Sequence, residues 1–156
     1  MNTAAALRVR ASTPADQAAV RELLSGSKLP VADLDTAPGL RFWVAERDGQ
    51  VIGTIGLERH GNGALLRSLA VSASQRGRGL GRKLVATLEL EARSAGVKVL
   101  VLLTEGAQGF FKRRGYAVVD RHYAPAELKQ SAEFRSLCPA SAVCMTKSLV
   151  VAVLRG

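Results

Sequence analysis

Apolar and polar positions along the chain predict a mixed α/β fold. Leu7 to Ala11 alternates apolar with basic residues, the mark of a short first strand. Thr13, Pro14 and Asp16 form a helix start, with an N-cap hydroxyl, a proline at the first helical position and an early acid. The stripe Ala18, Val20, Leu23 and Leu24 continues that helix to about Ser25-Gly26. Residues 26–39 hold two prolines and two glycines and read as a loop, with at most a short helix around Val31 to Leu34. A meander of three strands follows, Leu40 to Arg47, Val51 to Leu57 and Ala64 to Val71. Its turns are Asp48-Gly49 and Gly61-Asn62-Gly63. Apolar residues at 80, 84, 85, 88, 92 and 95 predict an amphipathic helix over Leu80 to Ala95, stopped by Gly96. Val97 to Leu103 is a buried strand, and Glu105 to Arg114 a short helix ending at Gly115. Tyr116 to Arg121 reads as a strand, Pro125 to Phe134 as a helix and Ala142 to Leu149 as the last strand. The order β-α-β-β-β-α-β-α-β-α-β predicts a mixed sheet with helices on its faces. With no internal repeat or linker, residues 1–156 read as a single domain.

Charge narrows the partners. Twenty-two Lys and Arg stand against 13 Asp and Glu, a net charge of +9. That excess favours an anionic partner: nucleic acid, a phosphorylated cofactor or an acidic small molecule. Aromatics are scarce and there is no basic recognition helix, which opposes nucleic-acid binding. No apolar run approaches the ~20 residues of a membrane span, and the start lacks a signal-peptide core. The expected location is the cytoplasm. Cys138 and Cys144 are too few for a tetrahedral zinc site, and His60 and His122 lie far off in sequence, so no metal is expected. Both thiols read as reduced packing residues, with soft-metal or metalloid binding as the other reading. Exposed strand edges and the apolar tail Leu149 to Leu154 fit either a homodimer interface or a tail folded on its own sheet.

The most informative stretch is Gln75-Arg76-Gly77-Arg78-Gly79-Leu80-Gly81-Arg82-Lys83, between a strand and a helix. Alternate glycines let the backbone turn sharply and leave N–H groups uncovered. The first helical N–H groups lack intrahelical partners, and the helix dipole makes that end positive. Arg76, Arg78 and Arg82 add full charges, so the turn reads as a pyrophosphate cradle. A P-loop would need a hydroxyl after Lys83, where Leu84 stands. A dinucleotide fold would need G-x-G-x-x-G after an opening βαβ unit; here the spacing is G-x-G-x-G after a meander.

Arg76-Gly77-Arg78-Gly79-Leu80-Gly81 resembles the R/Q-x-x-G-x-G/A signature of the GNAT acyltransferases, which use acetyl-CoA. Leu69-Ala70-Val71 stands where that family has its L-x-V strand. Ala107, with Phe110-Phe111-Lys112-Arg113-Arg114-Gly115-Tyr116, resembles its later A-x-x-x-[FY]-x-x-x-G-[FY] signature. The resemblance implies an α/β (α+β) fold with a mixed, mostly antiparallel sheet of about seven strands, splayed at the central strands, with helices on both faces. Two positions depart from the pattern: Thr104 stands where Asn is frequent, and Phe111 where Tyr is frequent. That Tyr commonly protonates the leaving thiolate; a CoA thiol with a pKa near that of cysteine, about 8.5, can leave unprotonated. The stretches Leu65 to Val71 and Glu133 to Met145 resemble a GNAT branch found with arsenic-resistance genes, whose members acetylate glutamate-like amino acids of the arsinothricin type.

The resemblance implies that acetyl-CoA, as co-substrate, lies in a V-shaped opening beside the third meander strand. Leu69, Ala70 and Val71 would hold the pantetheine arm through their backbone, and an N–H of Leu69 or Ala70 would face the acetyl carbonyl. Arg76, Gly77, Arg78, Gly79, Leu80, Gly81 and Arg82 would hold the diphosphate, with Thr104 and Phe111 also beside the cofactor. Transfer to the amine of a small acceptor would be direct. Glu58, at the end of the second meander strand, is the first candidate base, acting directly or through water, and His60 the second; a solvated strand-end acid is the alternative for Glu58. In a regular strand Arg67 would share a face with Leu65, Leu69 and Val71, where an unpaired guanidinium is costly. Either a bulge turns it outward or it meets an anion in the cleft, such as an acceptor's carboxylate or oxyacid. Arg41, beside Phe42 and Trp43, is a weaker anion candidate, and by resemblance Phe134 and Ser141 line the acceptor pocket. The competing readings are a protein N-terminus, lysine or polyamine as acceptor, and a non-catalytic nucleic-acid-binding module.

Overall fold

A computed structural model describes residues 6–150. Seven strands form one sheet: β1 (Arg8–Ala11), β2 (Leu40–Arg47), β3 (Gln50–His60), β4 (Gly63–Val71), β5 (Val99–Thr104), β6 (Ala117–Val118) and β7 (Val143–Ser148). Their spatial order is β1-β2-β3-β4-β5-β7-β6. Every pairing is antiparallel except β4 with β5. No described helix is long and apolar enough to cross a membrane.

Both faces of the sheet are covered, because the central strands carry apolar side chains on both sides. On one face, Trp43, Ile55, Leu66 and Leu100 pack with Leu84, Val85 and Leu88 of helix α2 (Leu80–Ser94) and with Phe111 of helix α3 (Gln108–Lys112). On the other, Phe42, Val44 and Ala70 pack with Val20 and Leu24 of helix α1 (Gln17–Gly26). Farther along that face, Leu65 and Val101 meet Leu128 of helix α4 (Ala126–Lys129). The predicted start of α1 is present: Thr13 N donates to Asp16 Oδ2 at 2.7 Å, and Pro14 opens a 3₁₀ turn that leads into the helix.

The segment 27–39 is a run of turns with no helix, in keeping with the loop read there. Two expectations change. The strand over Tyr116 to Arg121 shortens to Ala117–Val118, because the Asp120 side chain accepts from His122 N at 2.8 Å and starts a 3₁₀ turn. The helix over Pro125 to Phe134 stops at Lys129, and a π turn, Glu133–Leu137, follows. Ser131 marks the break: its carbonyl accepts from Arg135 N at 3.0 Å and its hydroxyl lies 3.4 Å from Phe134 N. Of the apolar tail, Leu149 is buried and its N–H donates to Lys98 O at 2.8 Å; residues 151–154 lie outside the described residues.

Two irregularities shape the sheet's centre. The ladder between β4 and β5 covers only Gly63, Ala64 and Leu65 against Val99, Leu100 and Val101. From Leu66 onward that edge of β4 has no strand partner among the described residues, so the two strands part. The second is a bulge on β4 against β3, where Arg67 pairs with Gly56 and Ala70 with Thr54. The extra residue on β4 shifts the side-chain alternation by one. Ser68, at φ +60°, sits at that step. Leu66, Leu69 and Val71 therefore face α2, while Leu65, Arg67 and Ala70 face the α1 side.

Candidate active site

The parting of β4 from β5 opens a cleft of about 910 Å³. One end is lined by Leu69, Ala70, Val71, Arg76, Gly81, Thr104, Phe110 and Phe111. The glycine turn sits at this end. Gly77 and Gly79 have φ of +80° and +79°, the left-handed backbone that glycine adopts without strain, and Gly79 is the N-cap of α2. A side chain at Gly77 would meet nothing within 4 Å, so its backbone lies open. Arg76 is tethered to the strand through its Nε, 3.2 Å from Val71 O. Of the predicted turn residues, Arg76 and Gly81 line the cleft. Gly77, Arg78, Gly79 and Arg82 complete the turn and the helix start without lining it, and Leu80 is buried beneath the helix.

More positive charge gathers here than the turn alone carries. The Arg114 guanidinium lies 3.9 Å from the Phe110 ring centroid, and Phe110 lies against Gly81. Burial, with Arg113 and Arg82 as like-charged neighbours, pulls the Arg114 guanidinium below its ordinary value. An anion bound at this end would offset the like-charge part of that effect.

Thr104 and Phe111 line this end of the cleft. The Thr104 hydroxyl accepts from Ala107 N at 3.0 Å and fixes the start of α3. Phe111 packs edge-to-face between Phe110 and Tyr116. The Tyr116 hydroxyl is no substitute for one at position 111. It is buried and donates to Glu89 Oε2 at 2.8 Å, and burial together with Glu89 pushes its pKa up. Lys147 Nζ completes that cluster at 3.0 Å from Glu89 Oε1, away from the cleft.

The other end of the cleft is lined by Ser27, Lys28, Leu29 and Pro30 of the α1–β2 loop, by Arg67, and by Glu133, Leu137, Cys138 and Pro139 around the π turn. Arg67 is at its centre and corrects an expectation. The bulge does not turn it outward, and the anion that meets it is the protein's own. Nη1 and Nη2 donate to the two Asp33 oxygens at 2.6 and 2.7 Å, and Nη1 also donates to Glu58 Oε1 at 2.9 Å. Nε donates to Ser68 Oγ at 3.2 Å and lies 3.1 Å from Glu133 Oε1. Burial works against the charge on Arg67, but Asp33, Glu133 and Glu58 outweigh it and raise its pKa.

Glu58 also differs from expectation. β3 runs on to His60, so Glu58 lies inside the strand, buried, with Oε1 on Arg67 and Oε2 2.5 Å from His60 Nε2. It does not line the cleft. Arg41 lies over the Trp43 ring at 5.1 Å and lines a separate groove beside Thr13 and Gln17. Phe134 packs into the Leu65–Val101–Leu128 cluster, and Ser141 donates to Glu105 Oε1 at 3.1 Å; neither lines the cleft. Sequence reasoning missed Asp33 and Glu133. Asp33 lies in an irregular loop two residues before Asp35, and Glu133 opens the stretch to Met145 that carries the branch resemblance; nothing in either segment singles out the acid.

The Glu133 carboxyl is held well above the usual carboxylate range. Burial raises its carboxyl, Arg67 lowers it, and Asp33 and Glu58 raise it again, leaving it at about 7. Burial and Glu133 push the neighbouring Cys138 thiol up to about 12, so it stays protonated and is no nucleophile at neutral pH. Among the described residues no group of three or more His, Cys, Asp or Glu is placed to hold a metal ion.

The sequence pattern of the acetyltransferase (GNAT) domain matches residues 38–118, just over half of the chain. The chain belongs to the GNAT family. It is 36% identical over 104 residues to an uncharacterised N-acetyltransferase of Chlorobaculum tepidum, covering 66% of this chain and 64% of the relative. It is 34% identical over 93 residues to the IAA acetyltransferase of Azospirillum brasilense, covering 54% of this chain and 61% of that protein. These matches span less than two thirds of either relative's length. In fold, it superposes with a TM-score of 0.80 on the N-acetylglutamate synthase of Neisseria gonorrhoeae crystallised with coenzyme A and N-acetylglutamate. There the identity is 20%, with 96% of this chain and 36% of that one covered. A Mycobacterium tuberculosis protein crystallised with CoA gives a TM-score of 0.77 at 25% identity, with 92% and 99% covered. The GNAT fold thus accounts for the opening between β4 and β5, and acetyl-CoA fits it as co-substrate. The turn offers open backbone and positive charge to a diphosphate, and the free edge of β4 offers hydrogen-bonding groups to an extended arm.

Proposed function

We propose that this chain moves the acetyl group of acetyl-CoA directly onto the amine of a small acceptor. The observation that carries this reading is the glycine turn opening α2 beside the unpaired half of β4. Acetyl-CoA supplies an activated thioester. Arg76 and the amides from Gly77 to Arg82 hold its diphosphate, and the backbone of Leu69, Ala70 and Val71 holds its pantetheine arm. The bulge at Ser68 re-aims the peptide groups that follow it, so an N–H of Leu69 or Ala70 faces the acetyl oxygen as negative charge develops. Position 111 offers no proton, and the thiolate leaves without one.

A glutamate-like, anionic acceptor of the kind handled by the arsenic-resistance branch rests on the resemblance of Leu65 to Val71 and Glu133 to Met145, with Arg67 as the free cation that would meet its carboxylate. With Asp33 and Glu58 holding Arg67, that cation is not free, and the acceptor end carries three carboxylates around one guanidinium. The surroundings favour the cationic-amine alternative. The test is thiol release from acetyl-CoA with and without added primary amines. Amine-dependent release above the hydrolysis rate is expected. No release, together with a melting temperature raised by DNA and not by acetyl-CoA, would replace this reading with nucleic-acid binding.

A further inference from the structure

We propose that Glu133 is the proton acceptor of the transfer, and that the acceptor is an amine without a carboxylate on its amine-bearing carbon, bound with its ammonium head against Glu133. This rests on the acetyl-transfer reading above and names a residue and substrate class for the same cleft.

The geometry separates Glu133 from Glu58. Both oxygens of Glu58 are engaged, it is almost fully buried, and it does not reach the cleft wall. Glu133 is on the wall. Its side chain is only 5% exposed, and its one charged partner, Arg67 Nε, lies at Oε1. The π turn fixes it there: Cys138 N donates to Glu133 O at 3.1 Å, which brings the Glu133 carboxyl and the Cys138 thiol to the same wall. π turns are frequent at functional sites. The charged and titratable groups around Glu133 are Arg67, Asp33, Glu58 and Cys138, with His60 behind Glu58. Asp33 and Glu58 hold Arg67, so they fix the guanidinium that orients Glu133.

The same groups select the acceptor. With Glu133 ionised, three carboxylates face one guanidinium whose fork is already filled by Asp33. An ammonium head brings a second positive charge to that group. A carboxylate on the same carbon would lie within a few ångströms of the nitrogen, against Glu133 on the wall and with Asp33 and Glu58 buried behind Arg67. Arg76 belongs to the cofactor end; Lys28, at this end, is exposed on the α1–β2 loop, where water screens its charge more than that of the buried acids.

The step balances as follows. The acceptor ammonium gives one proton to the Glu133 carboxylate. The nitrogen lone pair forms the C–N bond, the C–S bond breaks, and the electron pair leaves with sulfur. The second proton on nitrogen passes to solvent or to the thiolate as the amide forms, and Glu133 returns its proton to solvent. The products are the N-acetyl amine, free CoA and one proton.

The test is thiol release with n-butylamine, tyramine and spermidine against glycine and glutamate, run on wild type, Glu133→Gln and Glu133→Asp from pH 5.5 to 9. Turnover is expected with at least one of the three amines and less with the amino acids. Wild-type kcat should rise with pH through about 7, as the carboxyl held at that value ionises. Glu133→Gln should lose at least tenfold in kcat and that pH step, with KM for the amine changed less, while Glu133→Asp keeps the step. A merely structural role would lower activity without removing the step. Faster turnover of glycine or glutamate, turnover of none of the amines, or a pH step that survives in Glu133→Gln overturns the proposal. Melting curves with acetyl-CoA tell the two failures apart. If acetyl-CoA still stabilises the chain, only this inference fails; if it does not, the acetyl-transfer reading fails too.

Discussion

Arg67 is where single residues are hardest to read from a sequence. A lone arginine in an apolar strand signals that an anion is near, and the sequence goes no further. Its main partner, Asp33, is 34 positions away in a loop with no periodic signal, and Glu133 is 66 positions away on the other side. The glycine turn is the opposite case, because alternate glycines report backbone angles directly. Gly77 and Gly79 both adopt the left-handed conformation that their identity announces. Gly79→Val places a β-branched residue at φ +79° and a side chain at the mouth of α2, so it should weaken acetyl-CoA binding at least tenfold by calorimetric titration. Arg76→Ala removes one charge and leaves the amides, so it should cost a few-fold. Equal small losses from both would contradict a cradle built from backbone.

At the level of elements, the amphipathic helix and the meander were legible because their periods are strong. α2 begins at Leu80 as predicted, and β2 covers Leu40–Arg47 as predicted. The bulge on β4 was not legible. Nothing in LLRSLAV marks Ser68 as the extra residue, since serine carries no preference for φ +60° comparable to that of glycine. Its effect is large: it reverses the alternation, sends Leu69 and Val71 to the α2 side, and leaves Arg67 with Leu65 and Ala70. Ser68→Val puts a β-branched side chain into the left-handed region and removes the hydroxyl that accepts from Arg67 Nε. It should destabilise the fold by about 2 kcal/mol in urea unfolding. Ser68→Gly loses the hydrogen bond but relieves the strain and should stay within about 1 kcal/mol of wild type. If valine proved as stable as glycine, the bulge would not sit at Ser68.

The whole molecule separates charge along one cleft. The chain is basic overall, and Arg76, Arg82, Arg113 and Arg114 concentrate that charge at the end where α2 begins. The opposite end is acidic in balance, with Asp33, Glu58 and Glu133 around Arg67. An anionic co-substrate and a cationic acceptor would each be drawn to its own end. Composition alone gave the first half of this picture and concealed the second, because a net charge of +9 says nothing about where three acids converge. The sheet ties the two ends together: β4 passes between them, paired with β5 only through Leu65 and open beyond it. Hydrogen exchange of the full chain with and without acetyl-CoA tests that arrangement most directly. Slowed exchange is expected at the amides of Leu69 to Val71 and Gly77 to Arg82. Binding that protects other segments and leaves these amides unchanged would contradict it.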